Sequence, residues 1–142
     1  MAADPLGGLL TSAPPELGDA RIAELAQRHF GVTGDLKRLT SERDLNVRIA
    51  TPGRSYVLKL ANPAEPAEVT DFQTKALLHL EGAGLPVPQV VRTLSGSTEA
   101  LLPEGRLRLL TYLEGTPLYL ARPSPAQGRA VAEGTVAELC AL

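Results

Sequence analysis

Lys59 stands in the run Ser55-Tyr56-Val57-Leu58-Lys59-Leu60. An ammonium inside an apolar, β-branched and aromatic run is unusual, because burying it without a partner is costly. A lysine held there is a fixed cation able to grip phosphate oxygens, although a solvated strand lysine fits the same spacing. Ahead of it, Thr40-Ser41-Glu42-Arg43-Asp44-Leu45-Asn46 is a polar connection with no glycine. Its backbone amides and the Ser41 hydroxyl could hold a phosphate, and a plain polar hairpin is the alternative. Behind it, Glu68, Asp71 and Gln73 lie in a helical stretch and are candidates to hold the lysine in place. Further on, Leu109-Leu110-Thr111-Tyr112-Leu113-Glu114-Gly115 is an apolar run that ends at a glycine. The backbone of such a connector can hydrogen-bond a nucleobase, and most such strands are simply core.

Other chemistry finds little support. His29 and His79 are far apart and have no cysteine or carboxylate at metal spacing, so both read as structural or surface residues. Cys140 has no histidine near it and is a poor nucleophile candidate. The motifs GxSxG, HExxH and GxxxxGK[ST] do not occur.

The elements that must position these residues follow from period. Asp19 can cap a helix whose face is Ile22, Leu25, Ala26 and Phe30, with Gly31 as its C-cap. The period then drops to two. Strands are expected near Leu36–Thr40, Leu45–Ile49 and Tyr56–Leu60, with Thr51-Pro52-Gly53-Arg54 as a tight turn. A second helix is expected from about Ala67 to Leu80, with Phe72, Ala76, Leu77 and Leu80 as its apolar face. Leu85-Pro86-Val87-Pro88 is extended. Strands near Gln89–Leu94, Thr98–Leu102 and Arg106–Leu113 precede a last helix from about Ser124. The fold class is therefore α+β: an antiparallel five- to six-stranded sheet with packed helices.

Composition sets further bounds. The chain has 142 residues, enough for one domain, and 44% hydrophobic residues, which is ordinary for a globular protein. A net charge of −2 and aromatic residues at 4% argue against a nucleic-acid partner. No apolar run approaches the roughly 20 residues needed to span a bilayer, so no membrane partner is expected. The N-terminus lacks a basic stretch, and the single cysteine fits a reducing, cytoplasmic setting.

The order of the segments carries more than any one of them. Ser41-Glu42-Arg43-Asp44-Leu45-Asn46-Val47, then Tyr56-Val57-Leu58-Lys59, then Gln73 to Leu80, then Leu85-Pro86-Val87-Pro88, then Arg108-Leu109-Leu110-Thr111-Tyr112-Leu113-Glu114-Gly115-Thr116-Pro117, resembles the amino-terminal lobe of the aminoglycoside phosphotransferase (APH) and choline kinase-like family. Within it, hydroxylysine kinases and the kinase-like domains fused to aminotransferases are most similar. The resemblance covers about residues 19 to 142. It implies a protein-kinase-like N-lobe over 19–117, after a leader at 1–18 that reads as mobile or as an irregular arm. Residues 118–142 would then be a linker and first helix leading to a second lobe.

The resemblance also implies roles. Lys59 would hold the α- and β-phosphates of ATP or GTP, and the loop bearing Ser41, Arg43 and Asn46 would cover them. Thr111 and Leu113 would offer backbone contacts to the base, with Ile49, Val57 and Leu110 as apolar cover. Gln73 falls where the family often has the glutamate that pairs with the lysine, so weaker fixation, or Glu68 or Asp71 as substitute, is expected. The family's His-Gly-Asp…Asn catalytic loop and its metal-binding aspartate do not occur in these residues. The chain thus reads as an inactive fragment of a longer kinase. Its Mg²⁺ ligands and the site for a small hydroxyl-bearing amino compound would lie in the other lobe. The alternative is a non-catalytic regulatory module. An exposed inter-lobe face is expected to favour dimerisation.

Overall fold

The computed structural model describes residues 12–116, 120 and 122–141. The first eleven residues of the expected leader, and Pro117 of the motif above, lie outside the described residues. Helix α1 spans Asp19–Phe30, with Gly18 rather than Asp19 at its N-cap. Gly31 closes it at φ 68, a left-handed conformation that costs glycine nothing. Strands β1 (Asp35–Leu39), β2 (Leu45–Thr51) and β3 (Arg54–Leu60) follow as a meander. Helix α2 spans Ala67–Gly82. Strands β4 (Val90–Val91), β5 (Ala100–Leu102) and β6 (Gly105–Thr111) complete the sheet, and helix α3 spans Pro125–Ala141.

All six strands form one antiparallel sheet in the order β1-β2-β3-β6-β4, with β5 also on β6. The expected strand at Gln89–Leu94 shrinks to two residues. Only Val90 and Val91 reach β6, after which Thr93 accepts from the Ser97 amide and closes a turn.

One face of the sheet carries the core. Val47, Ile49, Leu58, Leu60, Leu107 and Leu109 alternate along β2, β3 and β6 and pack on Ile22, Leu25, Ala26 and Phe30 of α1. The α1 face is the one the sequence indicates. Helix α2 is different. Its buried residues are Thr70 and Thr74, whereas Phe72 is 70% exposed. Of the expected apolar face, Ala76, Leu77 and Leu80 are half-buried and only Phe72 is exposed, so the fully buried contacts of α2 are made by its threonines rather than by that face.

Asn62 ties the connections together. It is 2% exposed and lies two residues past the end of β3. Its Nδ2 donates to the carbonyls of Ala13 and Arg43, each at 3.0 Å. Its Oδ1 accepts from the Ala64 amide at 2.9 Å, and its own amide donates to Asp44 Oδ1 at 3.0 Å. Leu17 packs against the core from the same N-terminal arm. Removing a buried side chain with this many partners leaves several polar groups unpaired. Asn62→Ala is expected to cost about 2–3 kcal/mol in urea unfolding, and a change within about 0.5 kcal/mol would contradict this assignment.

Candidate nucleotide site

Cross-strand pairing places Asn46, Lys59 and Arg108 side by side on β2, β3 and β6. Residues directly opposite in an antiparallel sheet point to the same face. This is the face away from α1. The next row along it is Arg48, Val57 and Leu110. A groove of about 350 Å³ runs between this face and α2, lined by Lys59, Phe72, Gln73, Leu77, Arg108 and Leu110 among others. A larger concavity of about 760 Å³ lies elsewhere, beside Arg28, Arg92 and Leu94. It shares no residue with the Lys59 face and is open.

Lys59 is half-buried. Burial is the main cause that pushes its ammonium below the ordinary 10.5, and the Arg108 charge adds to this, while Asp44 and Glu65 pull the other way. Among the described residues neither carboxylate forms an ion pair with it. Of the substitutes expected in α2, Asp71 pairs with Lys75 at 2.7 Å and Glu68 is exposed.

Gln73 does not bind Lys59 either. Its Oε1 accepts from Arg108 Nη2 at 3.0 Å, and Thr74 Oγ1 accepts from Arg108 Nη1 at 3.2 Å. Arg108 is 2% exposed, the largest fully buried side chain among those described. In the sequence it falls in the expected strand Arg106–Leu113, with nothing to mark it as a site residue. It shows there only as a basic residue directly preceding Leu109-Leu110; its pairing with Lys59 is set by the fold.

The loop ahead of Lys59 is a built turn. Ser41 Oγ accepts from the Asp44 amide at 3.2 Å, and Asp44 and the Arg43 carbonyl are held by Asn62. Asn46 Oδ1 is buried without a hydrogen bond, next to Lys59. At the other end, Arg48 lies 4.2 Å over the Tyr112 ring and donates to Ser55 Oγ and Glu114 Oε1. The Thr111 amide is committed to the Gln89 carbonyl, and the Tyr112 amide to Ser55. Leu113 is 52% exposed and its amide and carbonyl make no hydrogen bond among the described residues. Val57 and Leu110 share the Lys59 face. Ile49 does not: it is 0% exposed, on the opposite face under α1. The period of two required that, since Ile49 is one residue from Arg48.

The profile of the APH phosphotransferase enzyme family matches residues 35–142. The chain belongs to this family. It is 29% identical over 126 residues to hydroxylysine kinase of Xenopus laevis, an alignment covering 77% of this chain and 34% of that protein. Its fold is similar to that of spectinomycin phosphotransferase solved with ADP and spectinomycin, at TM-score 0.67 and 12% identity, covering 81% of this chain and 35% of that one. It is also similar to an amicoumacin kinase solved with AMP-PNP and Ca²⁺, at TM-score 0.60 and 15% identity, covering 78% and 34%. The chain thus spans about a third of the length of these relatives. The protein-kinase-like α+β fold expected from the sequence is the fold these phosphotransferases share. Among the described residues, no helix is long and apolar enough to cross a membrane.

The Lys59 environment has a consequence for stability. Below its folded-state value Lys59 is charged in both folded and unfolded chains, and the burial penalty is constant. Between that value and 10.5 the unfolded chain binds more protons, so stability rises with pH in that window. Lys59→Met is expected to lack this alkaline rise and to be at least as stable as the parent at pH 7. Parallel stability–pH curves for the two proteins would contradict it.

Proposed function

We propose that this chain is the nucleotide-binding lobe of a small-molecule kinase that moves the γ-phosphate of ATP to a hydroxyl of a small amino compound. The observation that carries this reading is the half-buried Lys59, which makes no ion pair among the described residues, facing a groove beside an apolar row and a connector whose Leu113 backbone makes no hydrogen bond among them. Lys59 holds phosphate oxygens, the loop from Ser41 to Asn46 covers them, and the Asn46 amide and Arg43 guanidinium are assigned contacts to the nucleotide. Val57 and Leu110 cover the base, and Leu113 supplies its backbone bonds. The residues present fit a phosphate chain. They do not supply a carboxylate set for a divalent ion: among the described residues no three histidine, cysteine, aspartate or glutamate side chains converge. The metal ligands and the base for the acceptor hydroxyl are assigned to another part of the parent protein. The 142-residue chain alone is expected to transfer no phosphate. The exposed Phe72 edge of the groove is where that other part, or a second copy, would pack.

A second reading is a kinase-like module without turnover. The engagement of Gln73 by Arg108, which leaves Lys59 without the usual acidic partner, favours it. Kinase activity of the full-length parent on hydroxylysine or an aminoglycoside separates the two. Binding is tested on the chain in hand, because a ligand stabilises only the state that binds it. ATP with Mg²⁺ at about ten times its Kd is expected to add about 1.4 kcal/mol of stability. Lys59→Ala is expected to abolish the shift. No shift at millimolar ATP, or an equal shift in Lys59→Ala, would overturn the assignment.

A further inference from the structure

We infer that Arg108 is a positioning residue of the phosphate site: it takes over the tie to helix α2 through Gln73 and Thr74, leaves Lys59 free for the ligand, and adds a second positive charge that selects ligands by their negative charge. This rests on the proposed nucleotide reading but is tested apart from it.

The geometry makes the argument. Lys59 and Arg108 are a directly opposed cross-strand pair on one face of the sheet. Like charges in that relation destabilise a sheet. Burying both makes the cost larger, because a charge out of water is tolerated only when paired or hydrogen-bonded. Yet the partners of Arg108 are neutral, an amide oxygen and a hydroxyl. Its Nε is enclosed and makes no hydrogen bond among the described residues. Asp44 and Glu65 attract both cations from a distance, and each accepts a hydrogen bond elsewhere, Asp44 from the Asn62 amide and Glu65 from the Thr70 hydroxyl. Among the described residues the face therefore holds two cations without a directly paired anion. A polyphosphate laid along it relieves the repulsion, and each added negative charge relieves it further.

The position of Gln73 follows from the same arrangement. A glutamate there would meet Arg108 first, since the side chain at 73 already does. The neutral amide fixes the guanidinium without neutralising it. An acid at this position would hold the helix more tightly and cancel the charge that the ligand uses.

The experiment compares AMP, ATP and inorganic tripolyphosphate by calorimetry on the 142-residue chain and two variants. In the parent, tripolyphosphate and ATP bind and AMP binds more weakly. Arg108→Met is expected to lower ATP and tripolyphosphate affinity by about tenfold while changing AMP little, as expected for loss of one nearby charge in a partly dry site. Gln73→Glu is expected to raise the melting temperature and yet lower the ATP-to-AMP affinity ratio. Should Arg108→Met fail to fold, Gln73→Glu carries the test alone. A purely structural Arg108 would give the opposite pattern: equal losses for all ligands in Arg108→Met, and an unchanged ratio in Gln73→Glu. Either result overturns the inference. If tripolyphosphate binding depends on Arg108 as stated while ATP binds no better than tripolyphosphate, the charge inference stands and the nucleotide reading fails.

Discussion

Lys59 and Arg108 are opposed across β3 and β6, buried to different depths, and among the described residues neither forms an ion pair with a carboxylate. That positive charge must be held somewhere, and the surroundings answer to it. Helix α2 presents Thr74 and Gln73 to the sheet because a guanidinium needs oxygen acceptors, and an apolar face would leave it unpaired. The apolar residues of α2 are consequently turned to the groove and to solvent, as Phe72 shows. Asp44 is fixed near Lys59 by Asn62, so its charge balances the site in part without occupying the lysine.

The sheet separates two tasks by its period. Residues of one parity on β2, β3 and β6 build an apolar core against α1. Residues of the other parity form the Asn46–Lys59–Arg108 row and the Arg48–Val57–Leu110 row. A rigid, well-packed face thus supports a polar face that is incompletely satisfied. On that face Asn46 Oδ1, Arg48 Nε and Arg108 Nε are enclosed and make no hydrogen bond among the described residues.

Much of this was legible in the sequence. Alternation located β2 and β3, the Ile22–Phe30 spacing located the packed face of α1, and Gly31 marked its end. The order of segments identified the family. What failed had physical causes. The apolar residues of α2 defined a face, but periodicity cannot say whether that face meets the sheet, and Arg108 decided the question from a distant strand. Ile49 was grouped with Val57 as cover for the base, although its parity relative to Lys59's partner Asn46 sends it to the core. The strand at 89–94 stops at Val91 because it finds only two partners on β6. Asn62 carries no sign of its role in the sequence. Its role depends on Ala13, Arg43 and Asp44, which the chain brings together only on folding.

The account turns on the state of one ammonium group. A pH titration of the Lys59 side chain by ¹³Cε and ¹⁵Nζ NMR, without and with ATP, addresses it directly. The expected result is a value below the ordinary 10.5 in the free chain that rises on ATP binding, because the phosphates supply the missing counter-charge. A Lys59 that titrates at 10.5 or above in the free chain, and is unmoved by ATP, would contradict the account.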